Sequence, residues 1–221
     1  MIRQYGNIVL ADVWAEVHDS WDFGEATHAR VQLPASASNV MTMQEAGFLW
    51  ADRTLKTSIV LSRCTADLDR MIRLPVVETS DFKDDIFRIA CASFSYDRRF
   101  HIEPACSADT ASIVLREWVY ELGDVLVCQF KGIPVGFLAL KQTEDDTLFV
   151  HLAAVEEKYR MTGAAMTLYA TACKVARERG FKKLEGRISS QNTAVMNVYA
   201  AFGASFSDPI DIFLKRLQHD A

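Results

Sequence analysis

Val155-Glu156-Glu157-Lys158-Tyr159-Arg160-Met161-Thr162-Gly163-Ala164-Ala165 is the stretch that decides the fold of this chain. An apolar run from Thr147 to Val155 leads into it, and a helical pattern from about Thr162 to Arg179 leads out. Between the two sits Arg-x-x-Gly-x-Ala. Small residues here let a ligand come close to the main chain, and the first turn of a helix leaves its amide N–H groups without intrahelical partners. With the positive end of the helix dipole, those amides attract an anion, and a pyrophosphate is a natural occupant. Taken alone, the same text also fits an ordinary strand-to-helix turn with a surface arginine.

The pattern extends in both directions. Ala165, Leu168, Tyr169, Ala172 and Ala176 share one stripe of the helix, which Gly180 ends. Leu184 to Ile188 reads as a strand. Asn192 to Phe202 reads as a helix with Val195, Val198, Tyr199 and Phe202 in register, closed by Gly203. A last strand, Ile210 to Leu217, follows Pro209. Upstream, Val76 to Glu78 is a short strand, and Asp84 to Phe94 and about Asp109 to Leu122 are amphipathic helices. Val125 to Phe130 and Val135 to Leu140 form a hairpin around Lys131-Gly132. In the first third, Asn7 to Val17 is strand-like, Ser38 can cap a helix to about Ala46, and Phe48 to Leu61 is a long strand. Glu45-Ala46-Gly47 before a strand echoes Ala201-Phe202-Gly203 before a strand. Arg70 to Pro75 reads as a crossing between two units, residues 1–73 and 74–221. Strands and helices alternating around one mixed sheet predict an α/β (mixed α+β) fold.

Composition narrows the function classes. The 221 residues are 50% apolar and 24% charged, which excludes a mainly disordered chain. A net charge of −5 argues against a nucleic-acid binder but leaves room for a small basic pocket. The five cysteines (Cys64, Cys91, Cys106, Cys128, Cys173) are scattered and contain no CxxC pair, so no metal site is readable and free thiols are expected. The amino terminus turns polar too soon for a secretory signal, and no apolar run approaches the ~20 residues of a membrane span. The expectation is a soluble, cytoplasmic protein without a membrane or nucleic-acid partner.

Two segments in order carry a family resemblance. Arg160-x-x-Gly163-x-Ala165 is followed, past a strand, by Asn192-x-x-Val195-x-x-Val198-Tyr199-x-x-x-Gly203-Ala204, in which Asn192 and Tyr199 lie two helical turns apart. Together they resemble the acyl-CoA-binding core of the GNAT superfamily of N-acetyltransferases, over about Val76 to Leu217 and most specifically Leu148 to Ala204. Met161 stands where the family often has Gly, and Glu157 where it often has Pro. The resemblance implies a mostly antiparallel, twisted sheet flanked by helices, with acetyl-CoA (coenzyme A) as cofactor. It implies cofactor contacts from Leu152, Ala153, Ala154 and Val155, from Arg160, Met161, Thr162, Gly163, Ala164 and Ala165, and from Asn192 and Tyr199. In the implied mechanism a substrate amine attacks the thioester directly. Amides around Ala154 and Val155 polarise the carbonyl, and Tyr199 serves as general acid, since a phenol of pKa ~10 stays protonated at neutral pH. His151 is the candidate base. On residue type alone, Tyr199 also fits a core tyrosine and His151 an ordinary strand histidine.

The acceptor side is read from Ser95 to Pro104. Arg98 and Arg99 beside Phe100 and His101 can bind a phosphate and stack on a ring, or can simply form a solvated loop. Asp97-Arg98-Arg99-Phe100-His101, with Trp21-Asp22-Phe23-Gly24 and Ala46-Gly47-Phe48, resembles nucleotide-sugar acetyltransferases related to TDP-fucosamine acetyltransferase. That resemblance implies a smaller, truncated GNAT-like first domain on a catalytic second one, and a nucleotide-linked aminosugar as acceptor. Alternatives are another small amine, a protein amino terminus, or a non-catalytic acyl-CoA-binding module. A homodimer is the base-rate expectation.

Overall fold

The computed structural model describes residues 2–5, 8–14, 22–94, 105, 107–123, 125–144 and 146–217. In chain order these form β1 (Ile2–Tyr5), β2 (Ile8–Trp14), β3 (His28–Pro34), α1 (Ala37–Glu45), β4 (Leu49–Val60), α2 (Leu68–Met71), β5 (Val76–Thr79), α3 (Lys83–Phe94) and α4 (Ala108–Glu121). Then come β6 (Val125–Phe130), β7 (Ile133–Glu144), β8 (Thr147–Val155), α5 (Ala164–Glu178), β9 (Lys183–Ser189), α6 (Thr193–Ala201) and β10 (Ser205–Arg216). All ten strands join one sheet, in the order β1-β2-β3-β10-β4-β9-β8-β7-β6-β5, parallel only at β2–β3 and β8–β9. The expected mixed fold is what the chain adopts.

Each face of the sheet buries its own core. Leu168, Ala172 and Ala176 of α5 pack with Leu148, Leu184, Tyr199 and Phe202 on one face. On the other face, Ile86, Ile89, Ala90 and Phe94 of α3 and Leu115 and Val119 of α4 meet Phe137 and Leu152. A separate cluster holds α1 through Met43 against Val31, Leu33 and Phe213. Cys64, Cys91, Cys128 and Cys173 are free thiols. Among the described residues no helix is long and apolar enough to cross a membrane.

Several boundaries move for physical reasons. Ser36, not Ser38, caps α1, its hydroxyl accepting the Asn39 N–H at 3.1 Å. The helix expected from Thr162 begins only at Ala164, after a 3-10 stretch over Glu157–Thr162, because Gly163 takes φ +84° and breaks the run. The last strand starts at Ser205, ahead of Pro209. The register slips between Ser207 and Ile210, so the proline sits in an irregularity where no ladder bond is needed. β3 was not foreseen, although Ala29, Val31 and Leu33 alternate as buried residues within it.

The arrangement around the middle of the sheet has an internal symmetry. β3–α1–β4 and β9–α6–β10 are each a strand, a nine-residue helix and a twelve-residue strand. They interleave as β3-β10-β4-β9, an order unchanged when the two units are exchanged. Both helices end alike. Phe48 N–H donates to Met43 O at 2.9 Å, and Ala204 N–H donates to Tyr199 O at 3.2 Å. Met43 thus stands in the first unit where Tyr199 stands in the second.

Candidate active site

β8 and β9 run side by side through only four pairs, from Thr147↔Lys183 to Val150↔Gly186, and then part. The cause is a bulge. Facing β7, the step from Leu140 to Ala139 is matched by Val150 to Leu152, so His151 is an extra residue. Beyond it the alternation reverses. Glu156 N–H donates to Val135 O at 2.9 Å, so Ala154 and Leu152 also turn toward β7. The N–H groups of Ala153 and Val155 are thereby aimed at the gap that β9 has vacated. On its other edge β9 stays paired with β4, from Thr54↔Ser189 to Val60↔Lys183, so the gap is a rigid fork.

A cleft of about 750 Å³ runs through this fork. His151, Leu152, Ala153, Asn192 and Tyr199 line it, together with Tyr169. Tyr199 is fully buried, and its hydroxyl lies against the backbone of Gly186, the last pair before the strands diverge. A Cβ on Gly186 would stand 2.2 Å from Tyr199 Oη and 3.2 Å from Thr57 Oγ1, so only glycine leaves the phenol its place. Tyr169 meets Tyr199 edge-on at 4.8 Å between ring centres. Burial is the strongest influence on the Tyr199 phenol and raises its pKa, while the hydroxyls of Thr57 and Tyr169 act in the opposite sense. The net shift is upward, so the proton is held at neutral pH.

His151 reaches solvent at the cleft mouth, its ring 6.4 Å from that of Trp118. Burial by the cleft walls, then the cations Lys141 and Arg3, lower its pKa. The imidazole is therefore neutral, and able to accept a proton, at pH 7. Glu156, just past the end of β8, is held as a paired carboxylate by Arg88 at 3.2 Å and Lys158 at 3.1 Å.

The turn from Arg160 to Ala165 is built as an open helix end. No side chain caps α5, for Gly163 has none and the Thr162 hydroxyl donates back to Tyr159 O at 2.6 Å. Arg160 and Met161 are exposed, Met161 at 97%, and the space outside Gly163 is open. Ala164 and Ala165 add no bulk. Asn192 caps α6 through Oδ1, which accepts Val195 N–H at 3.1 Å, so its Nδ2 remains free to donate. The β9–α6 turn is fastened from the first third of the chain, where Asp52 accepts Ser189 Oγ at 3.0 Å and Arg53 O accepts Ser190 N–H at 2.7 Å. An uncapped helix end, two strand amides facing a fork and the Asn192 Nδ2 donor together fit coenzyme A.

The far wall comes from residues that the sequence reading did not single out. Arg30 holds Asp12 through two bonds, at 3.1 and 2.6 Å, and its guanidinium lies 5.3 Å from the centre of the Trp118 ring. Trp118 Nε1 donates to Tyr5 Oη at 2.8 Å, and Gln32 adds a third bond to Asp12. Arg187, next to Gly186 but on the opposite face of β9, donates to Thr54 Oγ1 at 3.3 Å and Asp208 O at 2.9 Å. Its remaining N–H groups have no acceptor among the described residues. No local pattern marks these residues, which meet only through strand pairing. Arg98, Arg99, Phe100 and His101, the expected acceptor contacts, lie outside the described residues, as does Trp21.

Comparison with known proteins agrees with this geometry. Over 74 residues the chain is 43% identical to an L-2,4-diaminobutyric acid acetyltransferase of Streptomyces coelicolor, a match covering 32% of this chain and 44% of that protein. The chain thus spans less than half of that relative. A functionally unknown conserved protein from Staphylococcus epidermidis superposes with a TM-score of 0.65 at 16% identity, covering 87% of this chain and 74% of that one. A GCN5-related N-acetyltransferase from Sphaerobacter thermophilus gives 0.56 at 16% identity, over 88% and 62%. The acetyltransferase (GNAT) family profile matches residues 84–204, more than half of the sequence. The chain belongs to the GNAT acetyltransferase family.

Proposed function

We propose that this protein is an acetyl-CoA-dependent N-acetyltransferase acting by direct attack of a primary amine. The carrying observation is the Tyr199 hydroxyl seated on Gly186 where β8 and β9 part. Acetyl-CoA, the acyl donor of this family, supplies the thioester carbonyl. The α5 end at Arg160 to Ala165 holds its diphosphate, and Asn192 and the edge of β8 from Leu152 to Val155 hold the pantetheine arm. Ala153 and Val155 direct two N–H dipoles at an oxygen that gains negative charge. Tyr199 keeps a proton at Oη for a departing thiolate, and His151 takes one from the amine.

The acceptor reading is the amino group of a nucleotide-linked aminosugar. Its support is the wall of Tyr5, Trp14 and Trp118, which offers ring faces, beside Arg187, whose unused N–H groups suit a phosphate. A free diamino acid is the second reading, favoured by the Streptomyces relative. Thiol release measured over a panel of amines decides between them. Turnover with a TDP-aminosugar and none with 2,4-diaminobutyrate supports the first reading, and the reverse supports the second. Thiol release with no amine in the panel rejects the proposed activity.

We also infer that residues 1–73 are a partial copy of the same unit, followed by the catalytic unit 74–221. The interleaved β3–α1–β4 and β9–α6–β10 support this reading, as does β2–β3, which is parallel like β8–β9. Met43 at the place of Tyr199 leaves the first copy without an acid.

A further inference from the structure

One buried polar group near the fork lacks a well-formed hydrogen bond among the described residues. Thr57 lies on β4 directly opposite Gly186 of β9 and is fully buried. Among the described residues its Oγ1 has no partner at full hydrogen-bond geometry, although buried hydroxyls are nearly always paired. Burying an amide or hydroxyl without a partner disfavours folding, so a valine would suit this strand position better. The polar group facing it is Tyr199 Oη, since both oxygens crowd the space that a side chain on Gly186 would fill. The Thr57 hydroxyl already acts on the phenol, drawing its pKa down against the larger upward effect of burial.

We propose that Thr57 is a positioning residue for the acid, its Oγ1–H donating to Tyr199 Oη as that oxygen gives up its proton. The inference rests on Tyr199 acting as the acid. During transfer the amine nitrogen bonds to the acyl carbon and the carbon–sulfur bond breaks. The sulfur takes the Tyr199 proton, His151 takes the proton lost by the amine, and the phenolate is reprotonated after the products leave, as His151 gives its proton up. A phenolate in a buried site needs a donor more than a phenol does. Thr57 provides one, and both side chains are fully buried, where such a bond counts most. The residue comes from the first third of the chain, so the catalytic unit borrows it.

The test compares Thr57→Val, Thr57→Ser and Tyr199→Phe by kcat, KM and pH profile. Thr57→Val removes only the hydroxyl. Its kcat is expected to fall about ten- to a hundredfold with KM little changed, the range for a hydrogen bond to a charged group. The alkaline limb of its kcat profile is expected to move to higher pH, because a donor that favours the phenolate is gone. Its melting temperature is expected to be unchanged or higher, and Thr57→Ser is expected to restore most of kcat. A Thr57→Val enzyme with the original kcat and pH profile, beside an inactive Tyr199→Phe, overturns the proposal and leaves the acid in place. A fully active Tyr199→Phe removes the acid reading, and this proposal with it.

Discussion

At the scale of the residue, the site depends on one missing side chain. Gly186 leaves just the space that the Tyr199 hydroxyl occupies, and a methyl group there would meet it at 2.2 Å. Because the Tyr199 ring is fully buried and packed on Tyr169, Gly186→Ala should lower the melting temperature as well as kcat, the latter at least tenfold, a conservative figure for displacing the proposed acid. Steady-state kinetics with a circular dichroism control checks this, and unchanged kcat would show that the phenol's seat is irrelevant. His151 can be followed through pH. Its pKa lies below the usual histidine value, so the acidic limb of kcat/KM should lie below pH ~6.5. Lys141 is one of the two cations that depress it, so Lys141→Met should raise the imidazole pKa and move the limb to higher pH. A limb that stays in place would detach His151 from the proton transfer.

At the scale of the element, what could be read locally was read well, and what depends on distant pairing was not. α6 and β8 carry Tyr199 and His151, and each shows its own period in the sequence. The bulge at His151 has no such period, because it exists only against β7. The same holds for Thr57, which meets Gly186 across 129 positions of sequence only because β4 lies beside β9. β10 is held to β4 by a comparable long-range tie. Asp211, fully buried, accepts from Trp50 Nε1 at 2.9 Å and from Arg53 Nε and Nη2 at 2.9 and 3.0 Å. Asp211→Ala should lower the unfolding free energy by about 1–3 kcal/mol, discounted for the solvent around the half-exposed Arg53. Urea unfolding measures it, and an unchanged midpoint would mean that the tie contributes nothing.

At the scale of the whole molecule, the two units are interleaved, not adjacent. β4 lies between β10 and β9, so the strands of residues 74–221 do not form a continuous sheet without it. Residues 74–221 expressed alone should lack cooperative unfolding and thiol-releasing activity, because β9 and β10 lose their shared neighbour and Tyr199 loses Thr57. A folded, active fragment would contradict that dependence. In the sequence this symmetry shows as the echo of Glu45-Ala46-Gly47 in Ala201-Phe202-Gly203, three residues in segments that each span a strand, a helix and a strand. Burial sets the pattern of both strand–helix–strand segments, but each packs against a different core, so similar geometry goes with different side chains.

The central claim, that the α5 end at Gly163 to Ala165 grips a diphosphate, is tested most directly by calorimetric titration with acetyl-CoA. Ala165→Glu is the informative variant, because a carboxylate in the first turn favours the helix while repelling an anion. The account predicts single-site binding by the unaltered protein, at least tenfold weaker in Ala165→Glu at an unchanged or higher melting temperature. No binding by the unaltered protein, or equal affinity in both, would contradict it.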